Sequence, residues 1–239
     1  ALVDGNKGIM SAEQVQKAIR KAAGSQSHYP NGTLVCVENT SNLGGGACYP
    51  QDVLDEIAAV AHANDCKAHV DGARIFNAVV ATGIDPKRMC RDYDSVSICL
   101  SKGLGAPIGS VLVGSQEFID KAHRWRKMFG GGWRQAGVLA AAGLHALDHH
   151  IERMAEDHVR ALSVAESINA MDKFSVDIST VQTNMVYVNC NMPASELAAG
   201  LAEHGIDLFD LSEDAVRIVI HLHITDEDVE RIIAAFAAQ

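Results

Sequence analysis

Ser95-Val96-Ser97-Ile98-Cys99-Leu100-Ser101-Lys102-Gly103 reads as an apolar strand that ends on a polar, glycine-containing turn. The apolar run is too short for a helix and is bounded by turn residues, as a buried strand requires. Working outward, Thr33-Leu34-Val35-Cys36-Val37-Glu38 has the same character and leads into a loop at Gly44-Gly45-Gly46. From Asp52 to Asn64 the apolar residues Val53, Leu54, Ile57, Val60 and Ala61 recur at the spacing of an amphipathic helix. Ala68-His69-Val70 is a short strand stopped by Asp71-Gly72, and Ser110 to Val113 is a further strand. Strands alternating with helices predict an α/β fold with a mainly parallel sheet.

Downstream the pattern turns helical over Glu117 to Met128, Arg134 to Leu147 and Ile151 to about Ala170, with Gly130-Gly131-Gly132 and the His149-His150 region as breaks. A second α/β unit follows. Met185 to Val188 and Val216 to Ile220 read as strands, and Ser195 to His204 and Asp226 to Ala238 as helices. The expected organisation is a large domain over residues 1–150 and a bridging helix with a small C-terminal α/β domain over 151–239.

Composition narrows the function classes. Hydrophobic residues make up 48% and charged residues 21% of the 239, ordinary values for a globular protein. A net charge of -10 with no basic face argues against a nucleic-acid partner. The apolar run Val138 to Ala142 is far too short to span a bilayer, so no membrane partner is expected. Neither a basic end nor an apolar stretch marks the start as a signal peptide. Six cysteines without a CxxC pair, some in strand-like runs (Cys36, Cys99), predict reduced, buried thiols and a cytoplasmic location.

Chemistry concentrates at two strand ends. Asp71 follows one strand and Lys102 another, and ligands of open α/β sheets bind outside the carboxyl ends of their strands. A cofactor that needs a lysine for a Schiff base and an acid for a pyridinium nitrogen suits this pair. The alternative is that Asp71 caps a turn before Gly72 and Lys102 is a solvated strand end.

The wider sequence resembles one family. The stretches His69-Val70-Asp71-Gly72-Ala73-Arg74-Ile75-Phe76-Asn77-Ala78, Cys99 to Pro107 and Arg126 to Gln135 are similar to the threonine aldolases, nearly end to end. Glu38-Asn39-Thr40 and Val216-Arg217-Ile218-Val219 extend the match. The resemblance implies pyridoxal 5'-phosphate (PLP) as cofactor and retro-aldol cleavage of a β-hydroxy-α-amino acid, most simply threonine to glycine and acetaldehyde. It implies that Lys102 carries the cofactor, and that Asp71 pairs with the pyridine nitrogen. Arg74 and Arg217 approach the cofactor's phenolic side or the substrate carboxylate, which a bidentate guanidinium suits. Lys127 and Arg134 resemble residues near the cofactor phosphate at a subunit boundary of a homo-oligomer, dimer or tetramer; a plain basic helix face is the other reading of the Arg126-Lys127 segment.

Two departures stand out. Many relatives carry a histidine after Glu-Asn-Thr, where this chain has Ser41, so the group that takes the substrate's hydroxyl proton is Ser41 or a water. The family's phosphate-cradling loop and ring-stacking histidine fall before Ala1, so the chain is expected to be a fragment, with a companion N-terminal peptide as a partner. The rivals are a related PLP lyase, a racemase, or an inactive fragment. His145 and His149 are spaced i, i+4, yet no Cys or acid completes a metal set, and none is expected. His221 and His223 are expected to alternate on a strand.

Overall fold

The short apolar runs fold as strands, and their period-two alternation decides which face of the sheet is covered. The computed structural model describes residues 1–21 and 28–239. Its first compact unit comprises Ala1–Gly44 and Cys48–Ile151. The elements are α1 (Ala12–Ala18), β1 (Leu34–Glu38), α2 (Gln51–Ala63), β2 (Lys67–Gly72), α3 (Ile75–Thr82) and α4 (Pro86–Met89), followed by β3 (Ser95–Cys99), β4 (Ser110–Gly114), α5 (Gln116–Met128) and α6 (Gly137–His149). The sheet order is β1-β2-β3-β4. The first three strands run parallel and β4 returns antiparallel to β3.

Val35 and Val37, Ala68 and Val70, and Val96 point to one side, where α2 presents Leu54, Ile57, Ala58 and Ala61 to the same core. The helical spacing of those four residues makes one stripe, in which Leu54 and Ile57 each contribute about 1.5–3 kcal/mol. The other face of β1 and β2 carries Leu34, Cys36, Lys67 and Asp71, all exposed. That face holds the candidate site.

The second unit, Gly45–Ala47 with Glu152–Gln239, has its own core. It contains α7 (Met154–Asn169), β5 (Phe174–Ser175), a 3-10 turn at Ile178–Thr180, β6 (Met185–Cys190), α8 (Ala194–Glu203), β7 (Phe209–Ser212), β8 (Ala215–Val219) and α9 (Asp226–Ala237). Its sheet, ordered β5-β6-β8-β7, is antiparallel throughout. Ala161, Val164 and Ile168 of α7 and Val229, Ile232 and Phe236 of α9 share one apolar cluster with Val186, Val188 and Val216 of the sheet. Thr225 and Asp228 form a capping box at the start of α9. Among the described residues no helix is long and apolar enough to cross a membrane.

Several sequence expectations need correction. Asp71 lies within β2 and not after it, because alternation continues two residues further: Asp71 is paired with Glu38 and Ser97, and Gly72 faces inward. Glycine is needed there, since a Cβ at Gly72 would fall 2.8 Å from the Ser97 carbonyl oxygen. The helix expected from Arg134 begins at Gly137, because the chain first folds back so that Gly132 lies against Lys127. Only Cys66 and Cys190 are buried, and Cys36 is exposed because Val35 and Val37 take the inward positions of β1. His221 and His223 sit beyond the end of β8, with their rings edge to face, and not on the strand. Helix α3, which the sequence reading leaves unassigned, starts directly after Arg74.

Candidate active site

Three parallel strands deliver their carboxyl ends side by side. At the end of β1, the Asn39 amide donates to the Asp71 carbonyl at 2.9 Å, which ties the Glu38-Asn39-Thr40 segment to β2. Asn39, Thr40 and Ser41 are all buried. The Asn39 side chain accepts from the Tyr49 amide at 3.3 Å. Asn42 joins two of the charged groups: its amide donates to Glu38 Oε2 at 2.9 Å, and its side-chain oxygen accepts from Arg74 Nη1 at 3.2 Å. Arg74 is thereby drawn toward the end of β1 from its place at the N-cap of α3. The role of Asn42 was missed in the sequence, although it directly follows the Glu38-Asn39-Thr40 match.

Asp71 sits on the exposed face between Glu38 and Ser97. One carboxylate oxygen accepts from the Ala73 amide at 3.1 Å. His69, two residues back on the same face, contacts Ser95 Oγ through Nδ1 at 2.8 Å. Burial holds the His69 imidazole below its usual range, against the pull of the Asp71 charge.

Lys102 follows β3 on a tight turn. The Gly105 amide donates to the Lys102 carbonyl at 2.8 Å and the Ala106 amide to the Leu100 carbonyl at 2.9 Å. The turn needs a left-handed residue, which Gly105 supplies at φ 70°. The Lys102 side chain is exposed, and among the described residues it makes no hydrogen bond or ion pair. Its charge reaches Cys99: burial alone raises that thiol, but hydrogen bonds with Ser101 and Ser110 and the nearby Lys102 ammonium bring it below its usual value.

Ser41 is enclosed. Its Oγ accepts from the Gly44 amide at 3.2 Å, and a Cβ at Gly8 would fall 2.0 Å from that oxygen. Lys127, in the last turn of α5, is exposed, and its side chain runs along Gly132, where a Cβ would come within 2.6 Å of Lys127 Cδ. Arg134 is exposed in the link between α5 and α6. His145 and His149 stand with ring centroids 4.5 Å apart, and among the described residues no group of three or more metal-ligating side chains comes together.

Arg217 belongs to the second unit. On β8 it lies opposite Tyr187 of β6 and Phe209 of β7, with its guanidinium 5.9 Å from the centre of the Phe209 ring. At that distance the cation is attracted by the face of the aromatic ring. Neither aromatic neighbour was anticipated from the sequence.

Solved structures share this architecture. All of the chain matches a putative L-allo-threonine aldolase from Listeria monocytogenes EGD-E, with a TM-score of 0.81 at 21% identity over 67% of that chain. It matches threonine aldolase from Leishmania major with a TM-score of 0.81 at 16% identity, over 69% of that chain. These likenesses show a shared α/β fold. A family model for beta-eliminating lyases matches residues 1–191, and the chain belongs to that family. Among curated relatives, the probable low-specificity L-threonine aldolase 2 of Arabidopsis thaliana is 42% identical over 233 residues, covering 96% of this chain and 65% of its own length. The low specificity L-threonine aldolase of Escherichia coli (strain K12) is 39% identical over 226 residues, covering 94% of this chain and 65% of its own length. The chain thus spans just under two thirds of these relatives.

Proposed function

We propose that this chain carries the lysine-bearing part of a PLP-dependent lyase that cleaves threonine and allo-threonine to glycine and an aldehyde. The observation that carries the reading is that Asp71 pairs with Ser97 of β3 while Lys102 lies on the turn after that strand, with the Lys102 ammonium held by no described side chain. Both groups fit the cofactor: an imine needs a lysine free of an ion pair, and a pyridine nitrogen needs an acceptor on an open face. When bound, PLP supplies an electron sink for the bond broken at the substrate's α-carbon.

This chain's own residues supply the rest. Lys102 would hold the cofactor through its aldehyde, as its exposed amine allows. Asp71 keeps the ring nitrogen protonated by its charge. Arg74 is aimed by Asn42 toward the cofactor's phenolic side or the substrate. Arg217, steadied by Phe209, binds the substrate carboxylate and sets the angle of the breaking bond. Ser41 or a water takes the hydroxyl proton. Lys127 and Arg134 serve the cofactor phosphate at a subunit boundary of a homo-oligomer. The motif matches to the family support these roles, and six free thiols support a reducing, cytoplasmic location.

The test is product analysis of the PLP-loaded protein with L-threonine and L-allo-threonine. Stoichiometric glycine and acetaldehyde are expected. Ammonia with 2-oxobutyrate, or inversion at the α-carbon without cleavage, would replace the aldolase reading by an eliminating lyase or a racemase.

A further inference from the structure

We propose that His150 is a positioning residue for Lys102, acting through the carbonyl of Leu104. The proposal rests on the reading that Lys102 carries the cofactor. His150 Nδ1 lies 2.6 Å from the Leu104 carbonyl oxygen, across 46 residues of chain. Leu104 is 2% exposed, so this carbonyl is out of reach of bulk water and depends on the ring for a partner. A carbonyl only accepts, so Nδ1 carries the proton and His150 is the donor. Both the neutral Nδ1–H tautomer and the imidazolium satisfy that geometry; the Nε2–H tautomer would set two acceptors against each other.

The surroundings hold the ring in this pose. His150 is the C-cap of α6, and its own amide donates to the Ala146 carbonyl. The His145 ring stands edge to face with it, centroids 5.2 Å apart. About two turns before His150, Gly143 lets α6 approach the end of β3, since a Cβ there would meet Leu100 Cδ1 at 3.1 Å. Helix α6 therefore lies close over the start of the lysine turn, and His150 ties down its far side.

The tie matters because the Lys102 side chain has no hydrogen bond or ion pair of its own among the described residues. Its reach is set by where the backbone turn places its Cα. Within that loop, the Leu100-to-Gly109, Gly105-to-Lys102 and Ala106-to-Leu100 backbone bonds and the His150 bond fix the path. A misplacement of about 1 Å at a reacting group costs up to about 100-fold in rate.

The experiment compares the PLP-loaded protein with His150→Leu, which removes the donor, and His150→Asn, whose amide nitrogen can take the place of Nδ1. The readouts are the rate at which added PLP becomes borohydride-fixed on Lys102, the pH midpoint of the visible absorbance, kcat and KM for threonine, and the thermal midpoint. His150→Leu is expected to slow Lys102 labelling and lower kcat by 10-fold or more, and to shift the pH midpoint, with KM little changed. His150→Asn is expected to recover most of each. Unchanged labelling, pH midpoint and kcat in His150→Leu would overturn the proposal, as would losses that follow the thermal midpoint and are not rescued by asparagine. If His150→Leu does not fold, nitrogen NMR of the histidines in the unaltered protein decides: a neutral ring protonated on Nε2 at His150 overturns the assignment, and Nδ1 protonation upholds it. Labelling that persists in Lys102→Ala would instead defeat the cofactor reading itself, a separate outcome.

Discussion

Glu38 and Asp71 are partners across the β1–β2 ladder, two carboxylates on the same face, with Ser97 on the far side of Asp71. Glu38 is occupied by the Asn42 amide, and Asp71 takes the Ala73 amide with one oxygen. Asp71→Asn keeps an acceptor for Ala73 and removes only the charge. The thermal midpoint and PLP binding are therefore expected to hold while kcat falls by about 10²–10³, the scale for losing one preorganised electrostatic partner. Near-normal turnover in this variant would show that Asp71 serves the turn alone.

Lys102→Ala is expected to abolish borohydride-fixed labelling by PLP with a stability change within about 0.5 kcal/mol, because the side chain is exposed and anchors nothing described. Peptide mapping after reduction gives the answer. A label still present, on any other lysine, would reassign the cofactor's attachment.

Arg217→Ala is expected to raise KM for threonine by about 10- to 100-fold, the worth of a hydrogen bond to a charged group, with a smaller effect on PLP affinity. Arg217→Lys should recover little, since an ammonium lacks the planar fork that binds a carboxylate bidentately. Collapse of PLP affinity with KM intact would reverse the assigned role.

Asp94 provides a pH test away from the site. Burial disfavours its ionised form but is outweighed by hydrogen bonds from Lys67 Nζ at 2.7 Å, the Ala68 amide at 2.9 Å and His62 Nε2 at 2.9 Å, which hold the carboxyl well below its usual range. A depressed folded-state value gives stability that is complete above the unfolded value of about 3.9 and fades as pH falls through the folded one. The gap in thermal midpoint between wild type and Asp94→Asn should be full at neutral pH and shrink below about pH 4. A gap independent of pH would mean the charge is irrelevant.

Ser41→His puts a larger side chain in a place already enclosed by Gly8 and the Gly44 amide. Overpacking of this kind costs about 1–3 kcal/mol. A lowered thermal midpoint is expected, and an unchanged one would show that the Lys7-Gly8 turn moves aside freely.

The strands of the first sheet were legible because period-two runs such as Val35-Cys36-Val37 and Val96-Ser97-Ile98 have few other readings. What lay beyond the sequence depended on tertiary packing. Nothing local distinguishes an outward Cys36 from an inward one until α2 covers the other face. The late start of α6 follows from the fit of Lys127 against Gly132, a contact that helical periodicity around Arg134 masks. Helix α3 is short and follows Arg74 without a side-chain cap, so it lacks the usual N-terminal signal. The Arg74–Asn42 and His150–Leu104 hydrogen bonds span 32 and 46 residues, which no spacing rule reveals.

Three residues of the N-terminal half, Gly45–Ala47, belong to the second unit, and Thr183 Oγ1 donates to the Gly46 carbonyl at 3.0 Å over 137 residues. The unit is consequently not encoded in one continuous stretch. On the ribosome, Gly46 emerges roughly ten seconds before Thr183 at ordinary translation rates, so this unit closes late, after much of the chain has already left the tunnel. A gene cut at residue 152 would give a C-terminal piece whose buried Thr183 hydroxyl had lost its acceptor, at a cost of about 1–3 kcal/mol. Supplying the Gly44-to-Ala47 loop in trans, or grafting it ahead of Glu152, is the way to make that half stand by itself.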